Sequence, residues 1–264
     1  MKPLEVASPD ARRIWLRAQR LDTREPFGSG AEATKLAIEH LGYVQIDTIN
    51  VIERSHHHIL FSRIPTYRRA DLRQAQSVDK SVFEYWTHAL AYVPVRDFRF
   101  FVPAMKAHRD NPTRWSASDN EAGTKLIRKI RRDGPITIRD IDTDELVEKA
   151  HLWASKKPSK GLLERGFYDG RLVVSERRGM VKTYEDIERH FGWKNRPRGA
   201  TPSQLVEYQL DRALRAQGLV SAPSVMHPWK VFSPEMRALI DRRVRRKELR
   251  EIRIGDSPLP HWAP

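Results

Sequence analysis

The fold is decided by residues 159–184, which read SKGLLERGFYDGRLVVSERRGMVKTY. The first part, up to Tyr168, has the apolar spacing of an amphipathic helix. Gly170 then opens two strands that are separated by the turn 177–179. Two more helices are predicted upstream, over 125–132 and 142–152. Three helices followed by a hairpin are typical of the winged helix-turn-helix, whose third helix commonly enters the major groove of DNA.

The same order of elements recurs on both sides of this stretch. The N-terminal region predicts helices and an aromatic strand pair over 8–21, 31–41, 50–61 and 83–94. The C-terminal region predicts helices over 201–217 and 233–246, then a strand over 248–254. We therefore predict an α+β, mainly helical fold of tandem winged helix-turn-helix modules, with boundaries at 1–120, 121–195 and 196–264. No partner is predicted for the last strand, so we expect an incomplete third module in a chain shorter than the architecture it encodes.

Composition limits the function of this 264-residue chain. Its 48 Lys and Arg residues against 34 Asp and Glu give a net charge of +14, which indicates a polyanionic partner. The absence of cysteine excludes thiolate zinc sites, iron–sulfur ligation and a cysteine nucleophile. The sequence also lacks the glycine-rich motifs of P-loop and dinucleotide-binding proteins. Because it has neither an N-terminal apolar run nor a bilayer-length one, we expect a cytoplasmic protein without membrane association.

Gln45 and Asp47 form the first candidate site. On an extended segment, residues two apart point to the same side, so these two side chains project together while Val44 and Ile46 face the core. An amide beside a carboxylate can hold and polarise one water molecule. The alternative is that Asp47 caps a helix beginning near Asn50 and that Gln45 is an ordinary surface residue.

Ordered motifs along the chain accompany this pair: QIDTIN at 45–50, EYWTH at 84–88, DFR at 97–99, GLLE at 161–164 and VVSERR at 173–178. Together they resemble the YcaQ/AlkZ family of winged-helix DNA glycosylases, which unhook alkylated bases, including interstrand crosslinks. The resemblance implies three winged-helix modules followed by a β-rich C-terminal part, which we expect to be absent here. It also implies a catalytic Q-x-D motif, which stands here as Gln45 and Asp47.

The chemistry of that reaction suits these residues. Cleavage of an N-glycosidic bond develops positive charge on the sugar, which the Asp47 carboxylate can stabilise while it deprotonates a water oriented by Gln45. An enzyme that extrudes a base also needs a surface to receive it. The candidate lesion-binding residues are Tyr85, Trp86, His88 and His58. The alternatives are core packing for the aromatic residues and a structural hydrogen bond for His88.

No metal or cofactor is expected. Adjacent residues of a helix point about 100° apart, so His56, His57 and His58 cannot all bind one ion in the usual i, i+4 manner. A cationic alkylated purine is already a good leaving group, so its release needs no strong general acid.

The positive charge is expected to contact the phosphate backbone. The candidate DNA-binding residues are Arg54, Arg63, Lys156, Lys157, Lys160, Arg165, Arg177, Arg178, Arg242 and Arg243. For any single residue, the alternative is a solvated helix face. The expected partner is double-stranded DNA with alkylated or crosslinked purines, bound by a nucleoid-associated monomer. Two other functions stay open: a non-catalytic winged-helix DNA-binding protein or inactive fragment, and a protein-interaction module.

Overall fold

The computed structural model describes residues 2–111, 120–141, 158–226, 233–255 and 257–264. The helices are Ser8–Ala18 (α1), Gly30–Leu41 (α2), Ser55–Phe61 (α3), Arg69–Ser77 (α4), Val102–Asp110 (α5), Asn120–Asp133 (α6), Pro158–Tyr168 (α7), Ile187–Phe191 (α8), Pro202–Gln217 (α9), Ala222–Met226 (α10) and Pro234–Arg245 (α11). The strands are Leu4–Val6 (β1), Val44–Gln45 (β2), Val82–Trp86 (β3), Leu90–Pro94 (β4), Ile136–Thr137 (β5), Leu172–Arg178 (β6), Val181–Asp186 (β7), Val220–Ser221 (β8), Arg250–Ile254 (β9) and His261–Ala263 (β10). The predicted α+β, mainly helical fold is confirmed.

Local signals in the sequence explain where several helices begin and end. Thr201 starts α9 with a capping box, in which its hydroxyl accepts from the Gln204 N–H and the Gln204 side chain accepts from the Thr201 N–H. Gly42 ends α2 with φ of +81°, a left-handed conformation that favours glycine. A Cβ at this position would collide with the side chain of Arg212, so close packing also requires glycine there.

The described residues form two compact units, each made of segments that are separated in sequence. Unit 1 contains 1–72, 86–94 and 200–264, and unit 2 contains 73–85 and 95–199. The sequence predicted three consecutive modules instead, and their boundaries stay a prediction. The N- and C-terminal segments share unit 1 because β1 and β9 pair in parallel, a contact that local sequence patterns do not reveal.

A short strand pairs with the last strand of a hairpin three times along the chain. β2 pairs with β4, β5 with β7 and β8 with β10, always antiparallel. In each pair an aliphatic residue lies opposite an aromatic one: Val44 opposite Tyr92, Ile136 opposite Tyr184, and Val220 opposite Trp262. In the described residues, the order of helix, short strand, helix and paired strands therefore recurs three times.

The C-terminal strand has partners, contrary to our expectation. β9 pairs antiparallel with β10, with Ile252 opposite His261, and parallel with β1, with Leu4 opposite Ile252. The order in this sheet is β1, β9, β10, β8. The prediction of an unpaired strand, on which the incomplete third module rested, is wrong. β10 has only three residues after a proline-rich turn, too few for a strand pattern, but Trp262 is buried in the core with Leu210 and Met236.

The helix predicted over 50–61 begins only at Ser55, and residues 46–54 form neither helix nor strand. The β-branched residues Ile49, Val51 and Ile52 of this segment are poor helix formers and do not lie on one helical face.

The helix predicted over 142–152 lies outside the described residues. Among the described residues, no helix is both long and apolar enough to cross a membrane.

Candidate active site

Gln45 is the last residue of β2, and Asp47 follows it two residues later in unit 1. Val44 and Ile46 are buried, while Gln45 and Asp47 are partly exposed, which is the alternation of an extended segment. The Val44–Gln45 pairing with β4 is extended by a 2.8 Å hydrogen bond from the Ile46 N–H to the Leu90 carbonyl. This alternation leaves Gln45 and Asp47 accessible to solvent next to the pairing with β4.

The amide of Gln45 is held by His88 from the EYWTH motif. Nε2 of His88 lies 3.1 Å from Oε1 of Gln45. With the amide oxygen as the acceptor, Nε2 of His88 carries the hydrogen and donates it. The His88 ring also meets the Tyr43 ring edge-on, with centroids 5.5 Å apart, and the Arg212 guanidinium lies 5.2 Å from the Tyr43 ring centroid. The amide nitrogen of Gln45 is then the end that can donate to water.

Asp47 has one carboxylate oxygen committed to a turn. Its Oδ1 accepts a 2.9 Å hydrogen bond from the Ile49 N–H. Within the described part of the chain, its Oδ2 has no hydrogen-bond partner. The proposed alternative, a helix cap, does not apply because α3 begins eight residues later, at Ser55. One oxygen therefore fixes the side chain and the other can accept a proton or face a positive charge.

A cavity of about 360 Å³ lies beside α3, in the size range of small-molecule sites. It is lined by Glu53, His57, His58, Phe61, Tyr67 and Arg69. The Arg69 side chain holds the Glu53 carboxylate, with Nε 2.7 Å from Oε2, and Nδ1 of His57 lies 2.7 Å from the Tyr67 hydroxyl. The hydrogen bond from the Arg54 N–H is the main cause that lowers the pKa of Glu53, with Arg69 adding to it. The cavity therefore combines exposed aromatic surface at Phe61 with an ionised carboxylate.

Comparison with known proteins identifies the family. The model of the AlkZ-like DNA glycosylases matches residues 38–263, which is most of the chain. The chain belongs to the AlkZ-like family of DNA glycosylases. Its fold is also similar to that of the DNA glycosylase AlkZ of Streptomyces sahachiroi, with a TM-score of 0.63 and 15% sequence identity over 97% of this chain and 69% of that chain. The resemblance drawn from the sequence motifs is thus confirmed, and the family supports a role in DNA repair with DNA as the substrate.

The neighbouring aromatic residues of this AlkZ-like chain have opposite environments. Tyr85 is buried in unit 2, where its hydroxyl donates to the Tyr168 carbonyl at 2.8 Å and its ring packs against Phe101 and Phe167. Burial also raises the pKa of Tyr85. This packing leaves no face of Tyr85 for a base, which corrects the predicted role. Trp86 is 44% exposed, so core packing is not its role.

The three adjacent histidines have different environments, although the rings of His56 and His57 are in contact, with centroids 4.2 Å apart. His56 is buried with its ring against Tyr92. His57 is half-buried against Tyr67, and burial is the main cause that lowers its pKa. His58 is exposed at the cavity. In the described residues, no group of three metal-binding side chains is suitably placed for an ion.

Three predicted DNA-binding arginines are buried. Arg63 donates to the Gln19 carbonyl at 2.8 Å and to the Ile59 carbonyl at 2.9 Å, so it holds α1 to α3. Arg165 is buried beside Asp169. Arg177 forms two hydrogen bonds, of 2.5 and 2.7 Å, with the fully buried Glu84. These side chains are structural, and their assignment to DNA contacts is corrected.

A bulge explains the error at Arg177. The β6–β7 register shifts between Val174 and Glu176, so one extra residue interrupts the alternation of the strand. Arg177 consequently lies inside β6 next to a buried carboxylate, whereas the sequence placed it at an exposed turn. Of the two arginines, only Arg178 is exposed, with its Nε 3.4 Å from Oε1 of Glu176.

The remaining predicted cations are at least partly exposed or lie outside the described residues. Lys160 lies 3.8 Å from Glu164, Arg242 lies 3.3 Å from Glu207, and Arg243 pairs with Asp211. Arg54 is half-buried at the start of α3. Lys156 and Lys157 lie outside the described residues. Sequence reasoning did not assign Glu53, Phe61, Tyr67 or Arg69 to the site, although the adjacent aromatic and basic residues after Pro65 were a signal.

Proposed function

We propose that this AlkZ-like chain hydrolyses the N-glycosidic bond of alkylated purines in duplex DNA, including crosslinked bases, with Asp47 and Gln45 as its catalytic residues. The observation that supports this most directly is the pairing of an anchored carboxylate with an anchored amide on one side of β2. A DNA-binding repressor needs neither group in this arrangement.

In the proposed reaction, Gln45 donates a hydrogen bond from its amide nitrogen to the oxygen of a water molecule, because His88 already occupies its amide oxygen. Asp47 stabilises the positive charge that develops on the sugar. The bond between C1′ and the purine nitrogen breaks, and its electron pair neutralises the cationic base. The water oxygen bonds to C1′, and Oδ2 of Asp47 takes the proton.

The cavity beside α3 is the proposed receiving site for the alkylated base. His58, a predicted lesion-binding residue, lines it together with the exposed ring of Phe61. A cationic base is attracted both to the aromatic face and to the ionised carboxylate of Glu53. Trp86 and His88 remain proposed contacts to the lesion, with His88 acting through Gln45.

We also propose that the three recurring groups of helices and paired strands are winged helices that hold the DNA backbone. The net charge of +14 and the exposed cations Lys160, Arg178 and Arg242 support this. The protein is proposed to act as a nucleoid-associated monomer in the cytoplasm.

The test is a single-turnover excision assay on duplex DNA with one N7-methylguanine, in which alkaline cleavage reveals the abasic product. Asp47→Ala should abolish excision, while Asp22→Ala, a matched loss of an exposed carboxylate in unit 1, should leave it unchanged. Salt-dependent DNA binding without excision by the wild-type protein would instead establish the non-catalytic alternative.

A further inference from the structure

An exposed apolar loop follows the candidate catalytic pair. We call Ile49, Val51 and Ile52 the apolar tip; their side chains are 68%, 90% and 87% exposed. Val51 and Ile52 are the two most exposed large apolar side chains in the described part of the chain. Three such residues within four positions are an unusual surface, since folding gains nothing from them.

Both ends of the apolar tip are fixed. On one side, the Asp47 carboxylate accepts from the Ile49 N–H at 2.9 Å. On the other side, Glu53 accepts from the Arg54 N–H at 2.9 Å and is held by Arg69 at 2.7 Å. A loop that is anchored at both ends presents its side chains without a large loss of conformational freedom on binding.

The apolar tip cannot lie far from a nucleotide that contacts Asp47. Each residue spans at most about 3.6 Å, so Ile49 lies within roughly 7 Å and Val51 within roughly 14 Å of the Asp47 backbone. Bases of one strand are stacked about 3.4 Å apart. The tip therefore reaches the base steps next to the nucleotide at Asp47.

The size and charge of this surface favour DNA over a protein partner. Three aliphatic side chains cover on the order of a few hundred Å², well short of the roughly 800 Å² that each partner buries in a standard protein interface. The cations Arg54 and Arg69 lie at the base of the tip and offset its two anchoring carboxylates, Asp47 and Glu53, in a chain of net charge +14. Apolar side chains presented next to cations are what DNA-kinking proteins insert between base steps.

We propose that the apolar tip is a wedge that inserts into the base stack of duplex DNA beside the nucleotide held at Asp47. The wedge opens the stack on one side of the lesion and takes the place of the contacts that the extruded base loses. The proposal rests on the proposed function, because DNA at Asp47 is what brings the tip to the bases.

The test measures unstacking directly. The probe is a duplex with one N7-methyl-2′-fluoro-2′-deoxyguanosine, whose fluorine blocks cleavage, and with 2-aminopurine as its 3′ neighbour. Wild-type protein should increase the 2-aminopurine fluorescence on binding, since unstacking relieves quenching. The Val51→Ser/Ile52→Ser variant should lose most of this increase, while Val78→Ser, which changes a valine that is 71% exposed elsewhere, should keep it. An undiminished increase in the double variant, or no increase with wild-type protein, overturns the proposal.

A bulged probe separates a wedge from a simple contact. Because unstacking a paired step costs a few kcal/mol, the double variant should bind the paired lesion about tenfold or more weakly. With the same lesion in a one-nucleotide bulge, which is already unstacked, its affinity should be within about threefold of wild type. Equal losses on both probes overturn the wedge. The wedge is also overturned if the double variant loses the binding of wild-type protein to phosphatidylserine vesicles but keeps the fluorescence increase. That result would assign the apolar tip to a membrane surface.

The fluorescence result is independent of glycosylase activity. Tip-dependent unstacking without excision of a cleavable N7-methylguanine supports the wedge and overturns the proposed function. Excision without tip-dependent unstacking supports the proposed function and overturns the wedge.

Discussion

The substitution Asp47→Asn tests the proposed role of the carboxylate most sharply. The asparagine side chain keeps an oxygen that can accept from the Ile49 N–H, so the turn that begins the apolar tip is preserved. Only the negative charge and the proton-accepting oxygen are removed. Any loss of excision is then chemical, because the fold and the position of the side chain are unchanged.

The expected loss follows from Coulomb's law. A full charge about 4 Å from the carboxylate is stabilised by about 4 kcal/mol at the effective dielectric of a partly exposed protein site. The transition state shares its charge over the sugar ring, so about 3 kcal/mol is a reasonable contribution, which lowers the rate on the order of a hundredfold. DNA affinity should stay the same or increase slightly, since one charge that repels phosphate has gone.

Asp47→Ala provides the comparison. It should lose at least as much activity and also the turn, whose hydrogen bond contributes about 0.5–1 kcal/mol to stability at a partly exposed position. Single-turnover excision of N7-methylguanine and thermal melting are measured on both variants, with Asp22→Ala as the control. An Asp47→Asn protein that excises within threefold of wild type refutes the electrostatic reasoning.

Four further outcomes are expected. Gln45→Ala should slow excision about tenfold, less than loss of the aspartate, because an amide positions water without stabilising charge; a larger loss reverses the roles. Excision should be unaffected by EDTA, and inactivation reversed by one divalent ion contradicts this. Arg177→Ala should destabilise unit 2 by about 3–5 kcal/mol, because it leaves Glu84 buried without its cation, whereas Arg178→Ala should change the melting temperature little. Burial lowers the pKa of His57 below its ordinary 6.5, so the folded state favours the neutral ring; stability should fall below about pH 6.5, and less so in His57→Gln.

The sequence was informative where local chemistry decides the structure. The capping residues Thr201 and Ser233 and the terminating glycine Gly42 marked helix ends correctly. The period-two alternation around Gln45 also indicated which side chains leave the core. These features depend on neighbours a few residues away, so a single sequence contains the information.

Contacts between distant segments and irregular backbone could not be predicted from the sequence. Nothing near Leu4 indicates that it lies opposite Ile252, and nothing in VVSERR shows the bulge that turns Arg177 toward Glu84. The sequence also does not show that Arg63 is buried and donates to the Gln19 carbonyl. In a chain with a large positive charge, an arginine is predicted to contact a DNA phosphate unless a buried partner is known. The sequence therefore indicated the candidate pair Gln45 and Asp47, whose catalytic role stays a prediction, and did not indicate the cavity beside α3.

The parallel pairing of β1 with β9 has a consequence for synthesis. All segments of unit 2 have been translated when residue 199 is added, but unit 1 needs the strands near residues 250–263. At about 5–20 residues per second, translation from residue 200 to residue 263 takes roughly 3 to 13 s. During this time unit 1, which contains Gln45 and Asp47, is incomplete. A ribosome that stops in this interval releases a chain that contains Gln45 and Asp47 but has no β9 to pair with β1. Substitutions that disrupt β9 or β10 should therefore increase aggregation of the protein in the cell, rather than lower the reaction rate of a folded protein.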